Sequence, residues 1–582
     1  MSFRQEFQSL LFLCLAGLMC GCQGSHPKTT APDAPPLVAV TPELPNMGDT
    51  KLPGAPDQVP TTAEIRALAQ ENPAAALHQL DQFASLDGEQ NLLFGQTSML
   101  LFQRKQADGS LSPSLAADLL ADAEESFQRA FELGADPQTT LIGLLNARRQ
   151  AGDAAGAWQA GQWLFTRIEP QLQSGQYVAS STLLTIGAAG LAFTVATVQA
   201  GDAAPASAYK ATAALESAMY MGVVEAALPL ADLYAWSGEV ELALGTLCAG
   251  LLISPEDSVL WGRLQNLGAQ SRNSQVEHLE KLRLDSPGEA TPLWYLGEAR
   301  YWQGRDARSS ADYLQALECW DRAEESFQQA MVLNPGFGAS CAEWLHHVRT
   351  QRGWTLRDEG RIADAAASFL HTLEIAPERL EAESTPESLR LGIDAITADF
   401  FKKDQLKEAR GFLRQVCVIH DGNSNWTNNL GFFCRDLGTA ALQNGHQELA
   451  AQYFQESWEA YCRTVELAPD DARLVNDRAL IAVYYLDEHW ELAEQELHRA
   501  IELGTKTLAA MAEDVPEEEH NYYDMAVGDA WENLAFLNLI RRGEIGDSEN
   551  YLQNSLKHYP FEQRTGISPL QKKLEELRQL NR

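Results

Sequence analysis

The line "AEESFQRAFELG" begins at Ala123, and "AEESFQQAMVLN" begins at Ala323. A chain that writes one helix face twice must build from a repeated unit. In the second copy Ala323, Phe327 and Ala330 are spaced four and three residues apart, which places them on one helix face. Pro335 stops that helix five residues later. The same grammar recurs as Ala243, Leu247, Gly250, Pro255; as Ala365, Phe369, Thr372, Pro377; and as Ser457, Tyr461, Thr464, Pro469. Ala493, Leu497 and Ala500 follow it with Gly504 as the stop, and Ala123, Phe127, Ala130 and Pro137 form the near-copy.

A second pattern precedes several of these lines. Gly353, Leu356 and Gly360 run ahead of Ala365, and Leu230, Ala231, Tyr234 and Gly238 run ahead of Ala243 in the same frame. "LWYLGEARYWQG" (293–304) and "WTNNLGFFCRDLG" (426–438) repeat the Leu-Gly core and the later Gly. The physical logic is a helix hairpin. Small residues let the two helices touch, a large residue plugs the gap between hairpins, and Gly tolerates the left-handed turn conformation.

This resembles the tetratricopeptide repeat (TPR), a helix–turn–helix module with a small-residue and aromatic signature. The likeness is strongest over 224–255, 346–377 and 474–504, and stretched over 293–335 and 424–469. It is weaker at 88–137, 138–170, 183–222, 390–421 and 529–560. It implies an all-α fold, a superhelical TPR-like α-solenoid of about nine or ten hairpins, each too small to bury its apolar face alone. The stretched repeats carry extra residues, expected as added helical turns at 311–331 and 445–467. "LQKKLEELRQL" (570–580) fits a terminal cap, which repeat arrays need to cover the last apolar face.

The N-terminus carries a different signal. "MSFRQEFQSLLFLCLAGLMCGCQG" has an early Arg4, an apolar run from Leu10 to Met19, and then Cys20 and Cys22. The run is short for a mature transmembrane helix and fits the apolar region of a signal peptide. Gly21 before Cys22 resembles a bacterial lipobox, which implies cleavage before Cys22 and lipidation of its sulfur. Residues 23–60 are rich in Pro, Thr, Ala and Asp and predict a disordered tether. If fully polyproline-like it reaches up to about 100 Å, at roughly 3.1 Å per residue. The expected organisation is a signal peptide at 1–21, a tether at 22–61 and TPR-like repeats at 62–289. Repeats with extended helices follow at 290–569, and a capping helix at 570–582. Gln23 after the lipidated Cys favours the outer membrane, so the expectation is a bacterial envelope protein facing the periplasm. The uncharged stretch 179–198 has the length of a membrane span. Its Thr, Ser, Ala and Gly content, with no Lys or Arg close to its ends, instead predicts a buried packing helix.

The formal charge of −36 argues against nucleic acid and anionic lipid surfaces as partners. No phosphate loop, H-E-x-x-H or G-x-S-x-G occurs, and "GTKT" (504–507) reads as a helix stop. "CVIH" (417–420) has the spacing of half a metal site without a second pair. "EDVPEEEHNYYD" (513–524) reads as an acidic loop capping the next helix, with a cation at His520 as the alternative. Six cysteines beyond Cys22, at 248, 319, 341, 417, 434 and 462, lie in helical patterns and read as small apolar residues. The expectation is therefore no enzyme, no cofactor and no metal.

In the TPR family, ligands usually lie in the concave groove lined by the first helix of each hairpin. The resemblance places groove positions on Trp294 and Tyr301; on His347, Trp354 and Arg357; on Asn425, Asn428 and Arg435; and on Arg478 and Tyr485. Trp, Tyr and Arg dominate interface hot spots, and Asn can bond a peptide backbone in both directions. The family's clamp of paired Lys and Asn for a carboxylate is absent. The reading is a lipid-anchored scaffold for protein or peptide partners in the cell envelope. Two alternatives stand beside it: a peptide- or polysaccharide-binding module using the aromatic groove, and an enzyme with an unrecognised site, for which the acidic segment 513–524 is a candidate.

Overall fold

Helix signals set the architecture. Thr61 and Glu64 form a reciprocal capping box at the first helix. Asp136, followed by Pro137, accepts the backbone N–H of Thr139 at 2.8 Å. Gly238 and Gly360 end helices at φ 83° and 86°, a conformation that would strain any other residue. The computed structural model describes residues 60–380, 386–486, 488–512, 515–561, 564 and 566–580. Among them are 25 α-helices and no strand. The signal peptide, Cys22 and the tether lie outside the described residues.

The described residues form two units. The first holds 60–306 and 321–342, the second 307–320 and 343–580. The first begins with α1 (Thr62–Glu71), α2 (Pro73–Leu80), α3 (Gly88–Ala107), α4 (Pro113–Glu132), α5 (Pro137–Gln150) and α6 (Ala154–Gln173). It continues through α7 (Ser180–Gln199), α8 (Tyr209–Tyr220), α9 (Ala227–Trp236), α10 (Val240–Ile253), α11 (Ser258–Gly268) and α12 (Arg272–Asp285). The unit boundary crosses α13 (Ala290–Ser309), α14 (Tyr313–Leu333) and α15 (Gly338–Asp358). The second unit continues with α16 (Ile362–Ile375), α17 (Leu389–Lys402), α18 (Leu406–Ile419), α19 (Ser424–Gln443) and α20 (Gln447–Leu467). It ends with α21 (Ala472–Tyr484), α22 (Trp490–Ala510), α23 (Glu517–Phe536), α24 (Ser548–Ser555) and α25 (Ile567–Leu580).

The repeated faces are the core. Ala323, Phe327 and Ala330 are fully buried, as are Ala365, Phe369, Ser457 and Thr464, and Tyr461 is nearly so. The large residue is clamped by glycines on neighbouring helices. A Cβ on Gly353 of α15 would stand 2.5 Å from the Phe369 ring, and one on Gly392 of α17 would stand 2.6 Å from it. Phe127 is held in the same way by Gly95 of α3 and Gly143 of α5. Gly297 receives Phe327 and Gly431 receives Tyr461. Removing such a ring from water stabilises by about 1.5–3 kcal/mol. The apolar interior of each unit is accordingly a succession of clusters passed from helix to helix. The fold is all-α and helical-repeat-like.

The extra residues at 311–331 and 445–467 lie in long helices. Both α14 and α20 have 21 residues, against 14 in α16. At the C-terminus, α25 buries Ile567, Leu570 and Leu574 against the last cluster of the second unit. Helix α7 is long and apolar enough to cross a membrane by length and composition, with mean hydropathy 1.7, yet it packs. Cβ atoms on Gly187 and Gly190 would collide with Leu215 and Ala211 of α8. The exposed positions carry Ser181, Ala192, Ala196 and Gln199, so its apolar character comes from a close-packed face beside small or polar exposed residues.

Candidate binding face on the first helices

The groove positions expected from the sequence occupy two settings. In the first unit, Trp294 is half-buried and its Nε1 donates to Ser340 Oγ at 3.0 Å. Its ring meets Tyr295 edge-on at 4.8 Å, and Tyr295 stacks on Trp261 of α11 at 4.1 Å. Tyr301 is buried and packs edge-on against Trp302. Trp302 also lies under the guanidinium groups of Arg272 and Arg305, 5.8 Å from each. Glu298 accepts from Gln265 and Trp302, and burial raises its pKa.

In the second unit the first helices of successive hairpins (α15, α17, α19, α21 and α23) are bridged by charge and indole groups. Trp354 is buried, and its Nε1 donates to the Glu387 carbonyl at 2.9 Å. The Arg357 guanidinium lies over its ring at 5.4 Å and also forks onto Asp399 of α17 at 2.7 and 3.3 Å, the strong bidentate geometry. Asp394 of α17 accepts from Trp426 Nε1 of α19 at 2.6 Å. His347 is half-buried beside Trp344, ring centroids 6.1 Å apart, and Asn425 is exposed.

Three of the expected residues converge. Asn428 and Arg435 face Asp477 of α21, and Tyr485 faces Arg435 in turn. Burial pushes the Asp477 carboxyl up, and the Arg435 charge and the Asn428 hydrogen bond pull it back, leaving it at about 6. Burial lowers the Arg435 pKa, but Tyr461, Asp436, Tyr485 and Asp477 more than reverse this, so the guanidinium stays charged. Arg435 also covers Phe432 at 4.8 Å and bonds Asp436 at 3.1 Å. Tyr485 stacks on Phe454 at 4.5 Å and borders a solvent-open cleft of about 700 Å³ lined by Arg414, Gln452, Gln455 and Glu459. Arg478 turns the other way and pairs with Glu496 of α22 at 2.7 Å.

The C-terminal end of this face is a second carboxylate recess. Arg564, its side chain almost fully buried, bonds Asp529 at 2.5 Å, the Tyr559 carbonyl at 2.7 Å and the Met525 carbonyl at 3.1 Å. Glu532 lies 3.6 Å away. Burial and the neighbouring Asp529 push the Glu532 carboxyl up to about 7 despite the Arg564 charge. Arg473 lies over Tyr522 and Tyr523 at 4.6 and 4.7 Å.

The carboxylates Asp394, Asp399, Asp477, Asp529 and Glu532 were not among the residues singled out from sequence. Their signal was weak, although Asp477 directly precedes the expected Arg478. The Arg357–Asp399 and Trp426–Asp394 struts tie neighbouring first helices together. Among the described residues no group of three or more His, Cys, Asp or Glu could hold a metal ion. The acidic segment at 513–524 lies partly outside the described residues, and the part from Val515 onward leads into α23. The six cysteines are free thiols. Burial pushes Cys248, Cys417 and Cys434 up to about 12, which suppresses thiolate chemistry. No family model and no curated protein matches the chain.

Proposed function

We propose that the chain is a TPR-like α-solenoid acting as a non-enzymatic scaffold, lipid-anchored through Cys22 in a bacterial cell envelope. The observation that carries the reading is the glycine-clamped aromatic between consecutive hairpins, seen at Phe127 and Phe369. It is the packing rule the repeat requires, and it recurs in both units. The first-helix face offers the partner Asn425, Asn428 and Tyr485 on a surface stiffened by Arg357–Asp399 and Trp426–Asp394. A stiff face loses little entropy on binding. The anchor and the periplasmic setting rest on the sequence around Cys22.

The test is a crosslinked pull-down from envelope fractions read by mass spectrometry, comparing the wild type with an Asn425→Ala/Tyr485→Ala double variant. A reproducible partner that falls by about tenfold in the variant, the effect of losing hot-spot contacts, supports the scaffold. No reproducible capture, or capture indifferent to the variant, removes it.

A further inference from the structure

Four successive second helices of the first unit end in apolar side chains that packing does not require. Leu252, Leu284, Val332 and Tyr220 each lie nine residues beyond a buried packing residue: Ala243, Gln275, Ala323 and Ala211. Nine residues at about 100° each amount to two and a half turns, which is the opposite face of the helix. The position therefore points to solvent by geometry. Tyr220 is 94% exposed, Val332 82% and Leu284 66%. The equivalent residues after Ala365, Ser457 and Ala493 in the second unit are Glu374, Glu466 and Glu502, the ordinary choice for such a site, with Val418 after Ala409 as an exposed exception. In the first unit Glu132 and Thr166 follow Ala123 and Ala157, so the apolar run belongs to the four successive second helices α8, α10, α12 and α14.

These residues lie at the ends of second helices, beside the turns that join one hairpin to the next. Leu133 and Tyr177, at two further such turns, are 59% and 82% exposed. The turns within hairpins are instead short and polar, as at 108–110, 151–153 and 269–271. The apolar edge is interspersed with exposed acids, among them Asp136, Glu225, Glu256 and Asp285. Of the nearby basic groups, Arg129 and Arg283 are engaged by Glu125 and Glu280 at 2.5 and 3.4 Å, and Lys281 is exposed one turn before Leu284. Between Leu293 and Val332 the edge dips into a cleft of about 480 Å³ floored by Pro287 and Leu333.

We propose that this edge docks an extended segment of a partner protein in which apolar residues alternate with Lys or Arg. The exposed aliphatic and tyrosine side chains take the apolar residues, and the acids between them select the positive charge. Exposed apolar residues at a regular structural position mark an interaction site more than scattered ones do, and opposite charge at the rim sets the choice of partner. A second copy of this chain would bring like charges together and is disfavoured.

The test is fluorescence anisotropy of the full-length protein with labelled synthetic peptides of about fifteen residues, long enough to cross several hairpins in extended form. The repeat Leu-Lys-Pro should bind, and Ser-Lys-Pro and Leu-Glu-Pro should each bind at least about tenfold more weakly, since both complementary features are required. The Tyr220→Ser/Val332→Ser variant should lose about tenfold for Leu-Lys-Pro, as should Leu284→Ser alone to a smaller degree. Both variants alter only exposed positions, so an unchanged thermal melt shows them folded. Equal binding of Ser-Lys-Pro, binding unchanged in the folded variants, or no binding of Leu-Lys-Pro each overturns the proposal.

Discussion

Phe369 lies between two glycines and has no exposed surface. Its removal leaves a cavity that the neighbouring helices can fill only by moving. Phe369→Ala should cost about 3–5 kcal/mol. Gly353→Ala attacks the same contact from the other side, placing a methyl group 2.5 Å from the ring; overpacking of this kind costs about 1–3 kcal/mol. Urea unfolding of both variants checks the pair, read locally by hydrogen exchange because repeat arrays need not melt as one unit. A loss below about 1 kcal/mol for Phe369→Ala would show that the ring is not the plug between these hairpins. Such packing residues were legible in the sequence because they obey local helical spacing: Ala323, Phe327 and Ala330 are buried together as that spacing requires. The charge partners were not. Arg357 and Asp399 are 42 positions apart, and nothing local to either announces the other. Arg478 illustrates the difference, since one residue is 100° of helix and separates the recess at Asp477 from the pairing with Glu496.

At the scale of elements, α21 and α23 hold carboxylates that burial keeps partly protonated near neutrality. Asp477 rises from an ordinary 3.8 to about 6, and Glu532 from 4.5 to about 7. Because both folded values exceed the unfolded ones, the native state binds more protons between about pH 4 and 7. The stabilisation is fully present below the unfolded values and is lost as pH rises through 6 and then 7. The second unit should therefore become more stable on acidification from pH 8 to 5, by about 1.4 kcal/mol from Asp477 and about 2.5 kcal/mol from Glu532 at about 1.4 kcal/mol per pKa unit titrated in that range. Denaturation midpoints across this range give the slope. Asp477→Asn and Glu532→Gln should flatten it, which separates their contribution from the general relief of a charge of −36. A midpoint that falls steadily from pH 8 to 5 contradicts the assignment. The existence and order of these helices could be read from their caps and stops, as at Asp136–Pro137 and Gly360. The carboxylate recess could not, because it forms only where helices distant in sequence converge, as Asp529 does with Arg564.

For the molecule as a whole, the proposed lipid anchor and the hairpin body can be tested separately. The anchor rests on Cys22, and the body on contacts that begin at Thr61. One acyl chain gives marginal membrane binding, whereas two chains at about 0.8 kcal/mol per buried methylene hold a protein firmly. A diacylated Cys22 should thus send essentially all of the wild type into the detergent phase of a Triton X-114 separation and incorporate labelled fatty acid. Cys22→Ala should lose the label and move to the aqueous phase. The acidic body has no electrostatic reason to remain on an anionic bilayer, and the outward face of α7 presents Ser and Ala rather than a lipid-binding surface. The thermal melt should be the same for both forms, because the packing described for the hairpin body begins at Thr61. Equal labelling or equal partitioning of the two forms would refute the anchor and leave the scaffold to be judged on its partners alone.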